Sequence, residues 1–161
     1  MRTVAIVGVG LIGGSFGLAL RKAGFPGSIL GVSSPGTIES AIRCGAVDRG
    51  ASLEEAAGAA DLVFLAQPIY GIIATLEKLK PLLGKYTLVT DAGSTKQAIS
   101  EAARANLQAD QFLGGHPMAG GGEAGRGSRA RRFVRRTPLD SGREFCEPGP
   151  PDDARFAEVD C

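Results

Sequence analysis

Strands that alternate with helices, a first strand apolar along its length, and a glycine-rich turn after that strand mark this 161-residue chain as α/β. The expected architecture is a doubly wound parallel sheet. Thr3-Val4-Ala5-Ile6-Val7 shows no polar alternation, as suits a strand buried on both faces. Gly8-Val9-Gly10-Leu11-Ile12-Gly13 follows, and a helical stretch runs from it to about Gly24. Ser28 to Ser33 reads as a second strand, followed by a weaker helical stretch over 36–44 and a short one over 52–59. Asp61-Leu62-Val63-Phe64-Leu65-Ala66 gives a third strand. Ile69, Ile72, Ile73, Leu76, Leu79 and Leu83 recur at helical spacing, which predicts an amphipathic helix over 69–83. Tyr86 to Asp91 reads as a fourth strand, 95–106 as a helix, and Phe112-Leu113-Gly114-Gly115 as a short fifth strand.

Composition narrows the partners. A formal net charge of +1 supplies no general attraction to nucleic acid or to an anionic membrane. No apolar run approaches the roughly 18 residues that span a bilayer. Met1-Arg2-Thr3-Val4 enters the first strand directly, without the h-region of a signal peptide. Cys44, Cys146 and Cys161 are too few and too scattered for a disulfide framework or a metal cluster. The expectation is a soluble, cytoplasmic protein with no metal site.

The averages conceal a break near Glu123. All five lysines precede residue 97, whereas eight of the thirteen arginines follow Glu123. Leu, Ile, Val and Phe supply 34 of the first 123 residues and 6 of the last 38, about 16% of that segment. Below roughly 20%, a segment buries too little apolar surface to offset its ordering entropy. Residues 1–122 therefore read as the globular part, a dinucleotide-binding domain by the glycine motif that follows the first strand, and 123–161 as a disordered or aberrant Arg-rich tail.

Gly8-x-Gly10-x-x-Gly13 carries the sharpest chemistry. Between a strand and a helix, the first glycine permits a tight turn and the second lets the backbone approach a pyrophosphate. The third lets helix and strand pack closely. The helix start then offers N–H groups and a positive dipole end to phosphates, with Leu11 and Ile12 inside the same loop. A glycine-rich turn without a ligand is the competing reading, but the strand–turn–helix setting favours a Rossmann-like nucleotide site.

Cofactor choice turns on the end of the second strand. An NAD site usually places an acidic residue there for the ribose hydroxyls. Here Ser33 and Ser34 occupy the position, so no carboxylate repels a 2′-phosphate. The expectation leans to NADP over NAD. A plain Ser-Pro turn without a role in discrimination is the alternative.

Two further segments fall at carboxyl ends of strands, where ligands gather in open α/β sheets. Ser94, in Asp91-Ala92-Gly93-Ser94-Thr95-Lys96-Gln97, could bond a substrate or a catalytic base. Equally, Ser94-x-x-Gln97 has the pattern of a capping box. His116, the sole histidine, lies in Gly114-Gly115-His116-Pro117-Met118-Ala119-Gly120. It could act as a general base near neutral pH, or be structural.

In this order, Gly8-Val9-Gly10-Leu11-Ile12-Gly13-Gly14-Ser15, Thr90-Asp91-Ala92-Gly93-Ser94-Thr95-Lys96 and Gly114-Gly115-His116-Pro117-Met118-Ala119-Gly120 resemble the prephenate/arogenate dehydrogenases of tyrosine biosynthesis. The likeness covers about residues 1–122. It implies oxidation of prephenate or arogenate at ring C4, with hydride passing to NAD or NADP and loss of CO2. His116 matches the family's histidine that takes the C4 hydroxyl proton, and Ser94 matches the serine that orients this pair. Ala66-Gln67-Pro68 matches a segment lining the nicotinamide side, and Gly8, Gly10 and Gly13 match the nucleotide loop. The resemblance also implies a helical domain that forms a homodimer, and the 38 residues after Glu123 show no helical pattern for it. An out-of-frame reading of GC-rich DNA is one account of that tail. Leu139-Asp140-Ser141 encoded as TTG-GAT-TCN contains Trp-Ile codons one base later, where the family carries a Trp-Ile-Leu-like run. The rival functions are a β-hydroxyacid-dehydrogenase-type oxidoreductase and a non-catalytic NAD(P)-binding module.

Overall fold

Thr3–Val7 forms β1, the centre of a six-stranded parallel sheet in a computed structural model that describes residues 1–116. The elements then run α1 (Leu11–Lys22), β2 (Ser28–Val32), α2 (Pro35–Arg43), β3 (Arg49–Gly50), α3 (Leu53–Ala59) and β4 (Leu62–Leu65). They continue through α4 (Ile69–Leu79), β5 (Leu88–Asp91), α5 (Lys96–Asn106) and β6 (Phe112–Leu113). Strand order is β3-β2-β1-β4-β5-β6, so the chain winds outward from β1 first one way, then the other. This is the doubly wound arrangement expected. Residues Pro117 to Gly120, the boundary near 122 and the Arg-rich tail lie outside the described residues.

Because β1 is central, both of its faces are covered, which is why every residue from Val4 to Val7 is apolar and buried. Val4 and Ile6 point into one layer with Ile29, Leu62 and Phe64, closed by Ala41 and Val47 and by Phe16, Leu20 and Ile38 of α1 and α2. Phe16 lies against Phe64 with ring centroids 4.1 Å apart. Ala5 and Val7 point into the other layer with Val63, Leu65 and Val89, closed by Ile72, Leu76 and Leu79 of α4 and Ile99 and Ala103 of α5.

Two departures from the sequence expectation have plain causes. The helix expected over 69–83 ends at Leu79. Pro81 has no N–H to donate and its ring would meet the preceding turn, so Leu82 and Leu83 pack on the core from a loop. A sixth strand, β3, also forms where none was expected: Leu30 pairs with Arg49 and Gly31 with Gly50. At two residues, one of them an exposed arginine, it offers no apolar run to recognise. The short helix expected over 52–59 forms as α3 from Leu53, and Ser52 caps it by accepting from the Glu55 N–H at 3.1 Å.

Asp61 ties the start of β1 to β4. One carboxylate oxygen accepts from the Arg2 N–H at 2.5 Å and the Thr3 N–H at 3.0 Å, and these bonds hold its pKa below the ordinary 3.8. A depressed folded value means the bonds stabilise the fold above pH 3.8, and that the contribution disappears as pH falls through the lower, folded value. Asp61→Asn should therefore melt below wild type at neutral pH, with the gap narrowing under pH 3.8. Melting curves across pH check this; a gap that persists unchanged into acid defeats it.

Candidate functional site

Parallel strands end together, so the segments after β1, β2, β4, β5 and β6 share one edge of the sheet. Hydrogen bonds continue the ladder past the strand ends. Gly8 N–H donates to the Val32 carbonyl at 2.9 Å, Ala66 N–H to Val7 at 2.8 Å, and Ala92 N–H to Leu65 at 2.9 Å. In sheet order, the edge presents Ser33–Ser34, Gly8–Gly13, Ala66–Pro68, Asp91–Ser94 and Gly115–His116. At about 4.8 Å per strand, the four steps from β2 to β6 span roughly 19 Å. The order reverses between β1 and β4, and in open α/β sheets ligands bind outside the carboxyl ends of the strands at such a point.

The glycine loop divides its roles by geometry. Gly8 has φ +90°, and a Cβ there would lie 2.8 Å from Gln67 Cγ and 2.9 Å from the Ala66 carbonyl. A Cβ on Gly13 would overlap the Gly8 carbonyl oxygen and stand 2.9 Å from Ile6 Cγ2. Gly10 is different: nothing lies within 4 Å of where its Cβ would be. It is the N-cap of α1, it has no side chain to cap with, and the first turn holds no acid. The first α1 bond runs from Gly14 N–H to Gly10 O, so the N–H groups of Leu11, Ile12 and Gly13 have no carbonyl within the helix. An open backbone beside a positive helix end fits a pyrophosphate.

Past β2, Ser33 and Ser34 are both exposed. Ser34 is the N-cap of α2 with Pro35 after it, yet its hydroxyl pairs with Thr37 Oγ1 at 2.8 Å instead of capping the main chain. The turn from Ser33 to Thr37 contains no carboxylate. Past β4, Ala66 and Gln67 are half-buried and Pro68 is exposed. Thr75 Oγ1 donates to Gln67 Oε1 at 2.8 Å, which leaves the amide NH2 as the group Gln67 can offer a ligand.

Ser94 and His116 follow neighbouring strands, and both are exposed. They share an edge, but no hydrogen bond joins them among the described residues. The capping box expected at Ser94 does not form. Helix α5 starts at Lys96 with Thr95 as its N-cap and no side-chain cap bond, while Gln97 Nε2 donates to Glu101 Oε1 at 3.1 Å. The reason is Asp91, which the sequence left without a role. Its buried Oδ2 accepts from Gly93 N–H at 2.8 Å and Lys96 Nζ at 2.5 Å, turning the chain before Ser94 and shifting the helix start. Its Oδ1 accepts from Gly115 N–H at 3.2 Å. Gly115 must be small, because a Cβ would lie 2.6 Å from the Asp91 carbonyl oxygen. Among the described residues, no group of three His, Cys, Asp or Glu could hold a metal, and no helix is long and apolar enough to cross a membrane.

A family model described as "Prephenate dehydrogenase, nucleotide-binding domain" matches residues 16–138. A prephenate dehydrogenase of Lactococcus lactis is 39% identical over 131 residues, covering 78% of this chain and 36% of the relative. A structure of prephenate dehydrogenase from A. aeolicus, in complex with hydroxyphenyl propionate and NAD+, is 37% identical with a TM-score of 0.69. That match covers 76% of this chain and 44% of the other. An arogenate dehydrogenase structure from Synechocystis is 39% identical with a TM-score of 0.66, over 74% of this chain and 42% of that one. The chain thus spans about a third of the length of the curated relatives it matches.

Proposed function

The chain belongs to the prephenate dehydrogenase family through its nucleotide-binding domain, and on that premise we propose that it serves the oxidative decarboxylation of prephenate or arogenate with NAD or NADP. One observation carries the reading: the open Gly10 backbone and the exposed His116 lie along the same carboxyl edge of one sheet. The curated Lactococcus relative is named a prephenate dehydrogenase, and the A. aeolicus homologue holds NAD+, which supports both substrate class and cofactor class.

In this reading the N–H groups of Leu11, Ile12 and Gly13 bind the pyrophosphate, with Gly8 and Gly10 keeping the approach clear. Ser33 and Ser34 face the ribose nearest the adenine. Ala66, Gln67 and Pro68 flank the nicotinamide, which when bound supplies the hydride acceptor. His116 accepts a hydrogen bond from the C4 hydroxyl and takes its proton as C4 gives up hydride and becomes a carbonyl carbon. Loss of the ring carboxylate as CO2 returns that bond's electron pair to the ring, and His116 hands the proton back to the phenol oxygen. Ser94 orients the histidine and the hydroxyl. The test is prephenate-dependent reduction of NADP or NAD by the purified full chain, repeated with arogenate. Cofactor binding without turnover on either substrate favours a non-catalytic module instead.

The carboxylate-free turn after β2 supports NADP over NAD. An acidic side chain at position 33 would repel the 2′-phosphate and accept from a free ribose hydroxyl. Ser33→Asp should weaken NADP relative to NAD by about tenfold, or about 1.4 kcal/mol. Calorimetric titration of both cofactors into both proteins measures the ratio. Tighter binding of NAD by wild type, or an unmoved ratio in the variant, removes the NADP preference.

A further inference from the structure

We propose that Asp91 is a positioning residue that fixes the Ser94 and His116 segments relative to each other through one buried carboxylate; the functional part of this rests on the reaction proposed above. Asp91 ends β5 and is 1% exposed. A carboxylate in that setting is costly unless it is fully paired. Its three donors come from three places: Gly93, immediately before Ser94; Lys96, in the first turn of α5; and Gly115, immediately before His116. The β5–β6 register ends with Thr90 opposite Leu113. Past that pair, the bond from Gly115 N–H to Asp91 is what reaches the segment leading into His116.

The surroundings are shaped for this contact. A Cβ on Gly93 would lie 3.0 Å from Asp91 Oδ2 and overlap Ile99 Cδ1, and one on Gly115 would press on the Asp91 carbonyl and stand 3.0 Å from Thr90 Oγ1. Both loops are therefore pulled in against the same side chain by charge-assisted bonds, each stronger than a neutral one. Among the described residues no hydrogen bond joins Ser94 to His116, so the carboxylate that holds Gly93 and Gly115 sets their spacing. A purely local alternative exists, in which Asp91 closes only the β5–α5 turn through Gly93 and Lys96.

Asp91→Asn in the full chain separates the two. Asparagine nearly keeps the volume but loses the charge and turns an NH2 either toward the Gly115 N–H or toward the Gly93 N–H and Lys96 Nζ. Amide exchange of Gly93 and Gly115 should quicken together by about tenfold or more while β1 and β4 amides stay protected. The imidazole signal of His116, a single resonance because the chain has one histidine, should shift. With substrate, kcat should fall about 10- to 100-fold, as a small misplacement of reacting groups would cause, with cofactor Kd unchanged. A wild-type chain without turnover defeats the proposed reaction but leaves the exchange and imidazole readouts to decide the role of Asp91. Faster exchange at Gly93 with unmoved Gly115 and His116 signals overturns the proposal in favour of the local turn. Should the variant fail to fold, wild type still decides. Gly93 and Gly115 must then exchange through one shared opening, and clearly unequal protection overturns the proposal.

Discussion

Replacing His116 with alanine is expected to lower kcat by about 10²- to 10⁴-fold, the usual worth of a positioned general base. The dissociation constant for NAD or NADP should not change. The asymmetry follows from placement. His116 follows β6, three strands from the glycine loop that would hold the pyrophosphate. It is exposed and belongs to neither apolar layer, so its loss opens no cavity and the melting temperature should hold. A base acts on the step in which charge and proton move, so the loss should fall on kcat and leave binding alone. Steady-state kinetics with prephenate and a fluorescence titration of cofactor read the two quantities separately. Retained turnover removes His116 from the mechanism. A parallel fall in cofactor affinity would place it against the dinucleotide and end its role as base.

Most of the fold was legible because the strongest signals are one-dimensional. β1 is a run of apolar residues whose neighbours on both sides are also strands, and Gly8 to Gly13 marks the turn that follows it. What the sequence hid depends on partners brought from far along the chain. β3 forms because the outer edge of β2 is free and Ala46 and Val47 are buried just before it, not because Arg49-Gly50 favours a strand. Ser94-x-x-Gln97 satisfies a local rule for a cap, and the local rule loses to a buried carboxylate that takes the Gly93 N–H and the Lys96 ammonium. Asp91 reads in sequence as an ordinary turn residue at a strand end. Its partner Gly115 lies 24 positions on, a separation that no window of helical or strand periodicity spans. Ser94 and His116, the proposed site residues, stand out by motif; Asp91, which bonds the residue just before each, shows only in three dimensions.

Gly13→Ala and Gly10→Ala should fail in opposite ways. At position 13 the added methyl overlaps the Gly8 carbonyl oxygen and crowds Ile6 Cγ2 at 2.9 Å. A backbone oxygen held in the turn cannot rotate aside as a side chain can, so α1 must lift from β1. Overpacking of this kind costs about 1–3 kcal/mol, which for a domain of this size lowers the melting temperature by several degrees or more. At position 10 the backbone has φ −82°, open to any L-residue, and the methyl meets nothing within 4 Å. Gly10→Ala should therefore leave the fold nearly intact, apart from at most about 1 kcal/mol for a poorer N-cap. The space it fills is where the proposed pyrophosphate closes on the first turn of α1. Cofactor affinity should drop about tenfold or more, equivalent to at least 1.4 kcal/mol. Thermal melts and cofactor titrations on both variants give four numbers, and the division of roles predicts their pattern. Equal destabilisation by the two substitutions, or full cofactor affinity in Gly10→Ala, would show that the open space at Gly10 is not where the phosphates sit.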